Sequence, residues 1–352
     1  MSEAVPGIDL EKLAPWFSNH VAPVDSLSAK VVGHGRSNLT YRVEAPDGRA
    51  WVVRRPPLSH VQPTAHDMSR EFRVISALAP TKVPVPETYA LCEDTSIIGA
   101  PFYVMEFVDG IVPVDPNAVG KKFDETHRHA LGEELIDTLA ELHIVDPASV
   151  GLGDFGKPTG YIERQVRRFS EQFDRVKTRD LPELDELKSR LNASIPKERA
   201  AAIVHGDYRL DNSVVSDDGH VAAVLDWEMS TLGDPLADLG ILRMYWRDRD
   251  SDDRLVASVG NQGVITLPGF PTFQEAFERY AKKTGTDLSG LDFYIVLAHF
   301  KLAVILENMH ARFMAGGTVG GGFEAIGAQV LVLAKSGLMV ANASSIATLR
   351  GS

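Results

Sequence analysis

Residues 205–212 read His-Gly-Asp-Tyr-Arg-Leu-Asp-Asn, an H-x-D-x-x-x-x-N pattern directly after the apolar run Ala202–Val204, and Asp226 closes the next hairpin. Such a set suits phosphoryl transfer. That reaction needs a carboxylate to orient the attacking hydroxyl, and an amide oxygen and a second carboxylate to hold Mg²⁺ on the nucleotide phosphates. Asp207 suits the first role, and Asn212 and Asp226 the second. Taken singly, Asp and Asn serve equally well as loop caps; the joint spacing between two strands is what points to chemistry. His205 reads as a brace for the loop rather than a proton carrier.

These residues need a scaffold. Ala29–Val32, Leu39–Glu44 and Ala50–Arg54, with the turn Pro46-Asp47-Gly48, read as an antiparallel meander. A helix follows: Thr64 and Asp67 are capping signals, and Met68, Phe72, Ile75 and Leu78 recur at helical spacing. Pro101–Val108 is a strand-like apolar run ending at Asp109-Gly110, where a lobe boundary is expected. Beyond it the apolar period predicts helices over 127–143, 161–176, 184–191, 235–246, 272–283, 291–314 and 323–340. Two short strands are expected at 202–204 and 221–225, with Ser213–Ser216 and the turn Asp217-Asp218-Gly219 between them. Asp234 before Pro235 reads as a helix N-cap.

Upstream, Gly33-His34-Gly35-Arg36-Ser37-Asn38 fits a phosphate-covering turn, because glycine lets backbone N–H groups approach phosphate oxygens. A plain hairpin turn reads the same way. Alternation in Val52-Val53-Arg54-Arg55 puts Val52 and Arg54 on one face, which makes Arg54 the candidate cation for the phosphates, with Arg55 the alternative. Glu71 borders the apolar face of its helix, either as a solvated charge or facing a basic partner from the strand.

The 352 residues carry 36 Lys and Arg against 48 Asp and Glu, a formal charge of -12, which is the opposite of a nucleic-acid footprint. Cys92 is the single cysteine, so an intramolecular disulfide and a thiolate metal cluster are excluded, and a reducing cytoplasm is expected. Met1–Leu10 lacks the basic start and apolar run of a secretory signal. The apolar run Phe293–Leu306 is interrupted by His299 and Lys301, so it reads as a core helix and no membrane partner is expected.

With these motifs in place, the sequence resembles the aminoglycoside phosphotransferase family, and within it the kinase-like domains associated with acyl-CoA dehydrogenases. The closer resemblance lies in residues 52–57, 65–68, 99–106, 161–165, 225–228 and 233–235, within roughly residues 30–245. It implies an α+β, protein-kinase-like two-lobe fold: a nucleotide-binding lobe over 1–108 and a mainly helical lobe over 109–352. It implies ATP and Mg²⁺ as cofactors, Asp207 as catalytic base, and Asn212 and Asp226 as metal ligands. Gly33, Gly35, Ser37 and Asn38 would lie over the phosphates, and Arg54 would pair with Glu71. The backbone of Glu106 and Val108 would hydrogen-bond adenine, and Asp238 would brace the catalytic loop. The sequence departs from the kinase pattern in having Arg for the strand Lys and Asn38 where a third glycine would stand.

The function expected is therefore transfer of phosphate from ATP to the hydroxyl of a small molecule. The alternatives are an aminoglycoside O-phosphotransferase, a nucleotide-binding pseudokinase without turnover, and a metallohydrolase using His205, Asp207 and Asp226. For the acceptor, Arg164 and Arg168 share a helix face at i, i+4. If that face lines the acceptor cleft, it favours an anionic handle such as that of a hydroxyacyl-CoA; a solvated helix over Phe169, Phe173 and Val176 is the other reading.

Overall fold

The computed structural model describes residues 5–32, 38–58, 67–246, 248, 263–317 and 323–351. The chain divides into two compact units. Unit 1 comprises Met1–Gly110 together with Ala222–Ser230, and unit 2 comprises Ile111–Val221 and Thr231–Ser352. The segment carrying Asp226 therefore groups with the N-terminal residues, not with the helical region in which its sequence position puts it.

Unit 1 is built on an antiparallel sheet of β1 (Ser28–Val31), β2 (Leu39–Glu44), β3 (Ala50–Arg55), β4 (Thr88–Cys92) and β5 (Phe102–Glu106), in the order β1-β2-β3-β5-β4. Alternation gives the sheet two different faces. Tyr41, Val43, Trp51, Val53, Phe102 and Val104 face a core completed by Leu13 and Phe17 of helix α1 (Leu10–His20), with Phe17 edge-on to Trp51 at 4.9 Å. Arg54 and Tyr103 face the other way, toward helix α2 (Met68–Leu78). The cap of α2 is Asp67, whose side chain accepts from the Arg70 N–H; Thr64 lies outside the described residues. Helix α1 and strand β4 were not expected from the sequence.

Unit 2 is mainly helical: α3 (Pro116–Lys122), α4 (Glu125–Ile144), α5 (Tyr161–Val176), α6 (Pro182–Ala193), α7 (Leu236–Tyr245), α8 (Phe273–Thr284), α9 (Leu291–Met314), α10 (Ile326–Ala343) and α11 (Ala347–Arg350). Helix α9 is the central strut, packed on α5, α6, α7 and α10. Its approach to α7 needs Gly240, where a Cβ would come within 2.5 Å of the Tyr294 carbonyl oxygen. Helix α10 is long and apolar enough to cross a membrane by length and composition; here Ile326, Val330, Leu333, Ala334 and Ala341 are buried. Strand β6 (Ala202–Val204) pairs not with the strand at 221–224 but with β9 (Thr231–Gly233), a strand the sequence reading missed. Strand β7 (Ser213–Val215) lies in unit 2, and β8 (Val221–Val224) carries the chain into unit 1.

Candidate active site

In unit 2, β6 delivers the chain to His205, Gly206 turns it with a φ of +88°, and one 3₁₀ turn over Leu210–Asn212 follows. The turn is held from below. Asp238 on α7 is fully buried and accepts from the N–H groups of His205 (2.6 Å) and Gly206 (2.8 Å) and contacts His143 Nε2 at 3.2 Å. Burial opposes the Asp238 charge, but His143, His205 and the Gly206 N–H outweigh it and hold the carboxyl below the ordinary aspartate range. Tyr208 ties the loop to α4 by donating to the Leu135 carbonyl at 2.7 Å. His205 is buried, and its Nδ1 accepts from the Asp207 N–H at 3.2 Å, so it acts as a brace.

Above this base the Asp207 carboxylate is fixed through one oxygen. Its Oδ2 accepts from Asn212 Nδ2 at 3.0 Å and from Arg209 Nε at 3.1 Å. Oδ1 takes no hydrogen bond from any described residue. Asn212 Nδ2 also donates to the Asp207 carbonyl at 2.8 Å, which orients the amide and leaves its Oδ1 open. Arg209 additionally pairs with Asp211 and lies over the Tyr245 ring at 5.0 Å. Its role was not read from the sequence, although a cation two residues from acids on both sides was the available signal.

Unit 1 holds a second constellation. Arg54 Nε lies 2.8 Å from Glu71 Oε2, and its Nη2 pairs with Asp226 Oδ1. Tyr103 donates to Glu71 Oε2 at 3.0 Å and Asn38 Nδ2 to Glu71 Oε1 at 2.7 Å, while Asn38 also reaches Glu228 at 3.1 Å. Burial disfavours the Arg54 charge, yet Glu71, Tyr103, Asp226 and Glu228 together raise its pKa. Glu71 is only 2% exposed, and that burial pushes its carboxyl above the ordinary range despite Arg54. Arg55 points to the opposite face, donating to the carbonyls of Gly7 (2.6 Å) and Ile98 (2.8 Å), so it is a structural tether of α1's approach. Asp226 sits at φ +66°, ψ +58°, the one left-handed residue other than glycine among the described residues. Such a conformation costs roughly 1–3 kcal/mol and is typical of functional positions.

Other sequence candidates fall as follows. Gly33, Gly35 and Ser37 lie outside the described residues. Asn38 faces Glu71 and Glu228 rather than an open turn, and its Oδ1 is buried without a hydrogen-bond partner. Glu106 ends β5, its N–H donating to Glu87 at 2.8 Å, and the Val108 backbone makes no hydrogen bond to a described residue. Asp234 Oδ1 accepts from the Leu236 N–H at 3.0 Å and Oδ2 from Tyr294 at 2.6 Å, with Pro235 itself in the cap position. Arg164 turns back onto the carbonyls of Lys157 and Thr159 and closes the α5 entry turn, so it does not act together with Arg168. Gly160 leaves the helix without a side-chain cap, and the guanidinium, a donor, satisfies the carbonyls of the preceding turn. No group of three or more His, Cys, Asp or Glu side chains able to hold a metal ion occurs among the described residues.

The model of the phosphotransferase enzyme family matches residues 28–276. The chain belongs to this family. As a phosphotransferase-family member it is 37% identical over 317 residues to acyl-CoA dehydrogenase family member 10 of Mus musculus, covering 89% of this chain and 29% of that protein. With acyl-CoA dehydrogenase family member 11 of Gallus gallus it shares 33% identity over 335 residues, 93% of this chain and 42% of that protein. The chain thus spans well under half the length of these curated relatives. Among solved structures it is similar to a "putative aminoglycoside phosphotransferase" from Ralstonia eutropha JMP134, at 35% identity and a TM-score of 0.79, covering 94% of this chain and 97% of that one. The fold of the family member is therefore kinase-like, with an antiparallel sheet in its N-terminal unit and helices dominating the other.

Proposed function

We propose that this protein transfers the terminal phosphoryl group of ATP to a hydroxyl group of a small molecule, with Asp207 as the base. The observation that carries the reading is the half-engaged carboxylate of Asp207. Its Oδ2 is locked by Asn212 and Arg209 while Oδ1 is open to accept a hydroxyl proton. The donor chemistry suits Mg²⁺: a hard cation takes oxygen ligands, and Asn212 Oδ1 in unit 2 and Asp226 Oδ2 in unit 1 each lack a hydrogen-bond partner among the described residues, so each is available as a ligand. When bound, Mg²⁺ would neutralise charge on the transferring phosphoryl group. Asn212 then has two duties, one through each end of its amide. Arg54, held by Glu71, supplies positive charge toward Asp226 and the phosphates, and the free Val108 backbone is suited to an adenine edge. Met105-Glu106 would form the strand beside it. With a single, buried and unpaired Cys92, a reducing cytoplasm is the proposed setting.

For the acceptor we favour a hydroxyl compound with an anionic handle, a hydroxyacyl-CoA being the leading case, supported by the relatives' acyl-CoA dehydrogenase names. An aminoglycoside acceptor is the rival suggested by the neighbour's name. A second reading, nucleotide binding without turnover, is favoured by one contact: Arg54 already occupies Asp226 Oδ1. One experiment separates these readings. The protein is incubated with ATP, with and without Mg²⁺, against panels of hydroxyacyl-CoA esters and aminoglycosides, and products are identified by mass spectrometry. Mg²⁺-dependent phosphorylation of the CoA esters is expected. Transfer confined to aminoglycosides rejects the acceptor; ATP binding without any transfer or hydrolysis establishes the second reading instead.

A further inference from the structure

Lys301 stands on α9 in line with Leu297, Ala298 and Val304, all buried, in the middle of a long apolar helix. A lysine on such a stripe normally reaches solvent or an acid, since an ammonium removed from water without partners is costly. Lys301 does neither fully: it is half-buried and makes no hydrogen bond or ion pair with any described residue. Its ammonium lies over the ring of Phe169 on α5, with Nζ 5.3 Å from the centroid. The same ring carries a second cation, Arg168, whose Cζ lies 5.6 Å from the centroid and whose guanidinium is exposed and likewise unpaired among the described residues. Helix α9 packs on both α5 and α7, and α7 carries the Asp238 that holds the catalytic loop; burial lowers the Lys301 pKa, with Asp238 and Asp207 raising it and Arg168 lowering it. Two cations thus share one aromatic ring where α5 packs on α9, each with donors to offer.

We propose that Lys301 and Arg168 determine acceptor specificity, receiving between them an anionic group, phosphate or carboxylate, of the molecule whose hydroxyl reaches Asp207. Lys301 is the inner, desolvated contact and Arg168 the outer one. An anion supplies the acceptors that the ammonium lacks, and it relieves the repulsion between the two cations. Phe169 sets their separation by presenting its π face to both. A neutral acceptor would leave Lys301 as it stands, and a polycationic one would meet repulsion from both side chains. The inference rests on the phosphotransferase reading for the position of the hydroxyl, but the anion contact itself can be measured without ATP.

The test uses the full chain and four probes: 3-hydroxybutyryl-CoA, its uncharged pantetheine ester, free 3-hydroxybutyrate and 3-hydroxybutyramide. The first pair differs by the phosphate-bearing nucleotide and the second by the carboxylate, and the part of each difference that depends on Lys301 reads the anion contact. Calorimetric binding without ATP and kcat/KM with Mg-ATP are compared for wild type, Lys301→Met, Lys301→Arg and Arg168→Met. Lys301→Met is expected to weaken the charged member of one pair about ten- to a hundredfold, the range of a lost charge-assisted hydrogen bond, and to leave the uncharged member unchanged. Lys301→Arg should restore most of the difference, and Arg168→Met should show a smaller loss of the same selectivity. Equal effects on charged and uncharged probes, or none, overturn the proposal while any phosphate transfer by wild type keeps the functional reading intact. Lys301-dependent anion binding by a protein that transfers no phosphate overturns that reading and leaves the anion site standing.

Discussion

Both units bridge two carboxylates with one arginine, yet they do so in opposite ways. Arg209 joins Asp207 and Asp211, three side chains within five residues of chain, and all of them keep some contact with solvent. Arg54 joins Glu71 and Asp226, which come from a strand, a helix and a segment returning from far along the sequence, with Glu71 almost wholly buried. The local bridge exists because the loop exists; the assembled one exists only when unit 1 is folded. A buried ion pair broken on one side leaves an uncompensated charge, whereas a half-exposed pair is relieved by water. The contrast teaches that the Arg54 cluster is coupled to stability and the Arg209 bridge chiefly to the orientation of Asp207.

Substitutions can break this contrast at several strengths. The largest effect is expected from Asp207→Asn, which removes the base but keeps the shape: kcat should fall about 10²–10⁴-fold with the melting temperature nearly unchanged. Activity retained in single-turnover assays would end the assignment. Next, Glu71→Ala should destabilise the protein by about 3–5 kcal/mol in urea unfolding, because it strands the buried Arg54 and removes the partner of Tyr103 and Asn38. A loss below about 1 kcal/mol, the level of an exposed pair, would erase the difference between the two bridges.

Asp238→Asn should cost about 2–3 kcal/mol, since two backbone N–H groups lose a charged acceptor. Its pH dependence has a definite sign. The folded carboxyl is held below the ordinary aspartate range, so its contribution is fully present above that range and lost as pH falls through the lower folded value. Stability of wild type and Asp238→Asn, followed from pH 6 downward, should therefore converge only in strong acid; convergence near neutrality would refute this. The smallest effect is expected for Arg209→Met: under about 1 kcal/mol in stability, with kcat lowered about tenfold by a loosened Asp207. Equal losses in Arg209→Met and Glu71→Ala unfolding would show that the loop bridge is as structural as the buried one.

How much of this was legible beforehand follows the same local and assembled division. The helices at 161–176 and 291–314 and the strand at 202–204 appear at the predicted bounds, because apolar period and length leave one solution. Alternation on β3 separated Arg54 from Arg55, one turned to α2 and the other to the carbonyls of Gly7 and Ile98. Helix α1 was missed although Asp9 caps it and Leu13 and Phe17 recur at helical spacing, since its first residues were weighed only as a leader and Pro15 interrupts it. Strand β4 follows two prolines and carries a register shift between Thr88 and Ala90, which blurs its alternation. Strand β9 is three residues long and has no pattern apart from its partner β6. In the candidate site, Asp207 and Asn212 were visible by spacing. Lys301 was visible only as an interruption of an apolar run, because the meaning of a lone charge depends on which ring and which acids the fold brings to it.

The division of the chain also bears on how it is made. Unit 1 is not complete at Gly110: Val224 donates to the Pro84 carbonyl, Arg70 to that of Ser230, and Asp226 engages the buried Arg54, all from a segment reached only after residue 221. On a ribosome, at about 5–20 residues per second, the N-terminal strands would wait roughly 6–22 s for that segment. Through this interval Arg54 and Glu71 must pair without Asp226. A circular permutant that begins at Ala222 would synthesise this segment before the N-terminal strands and remove the wait.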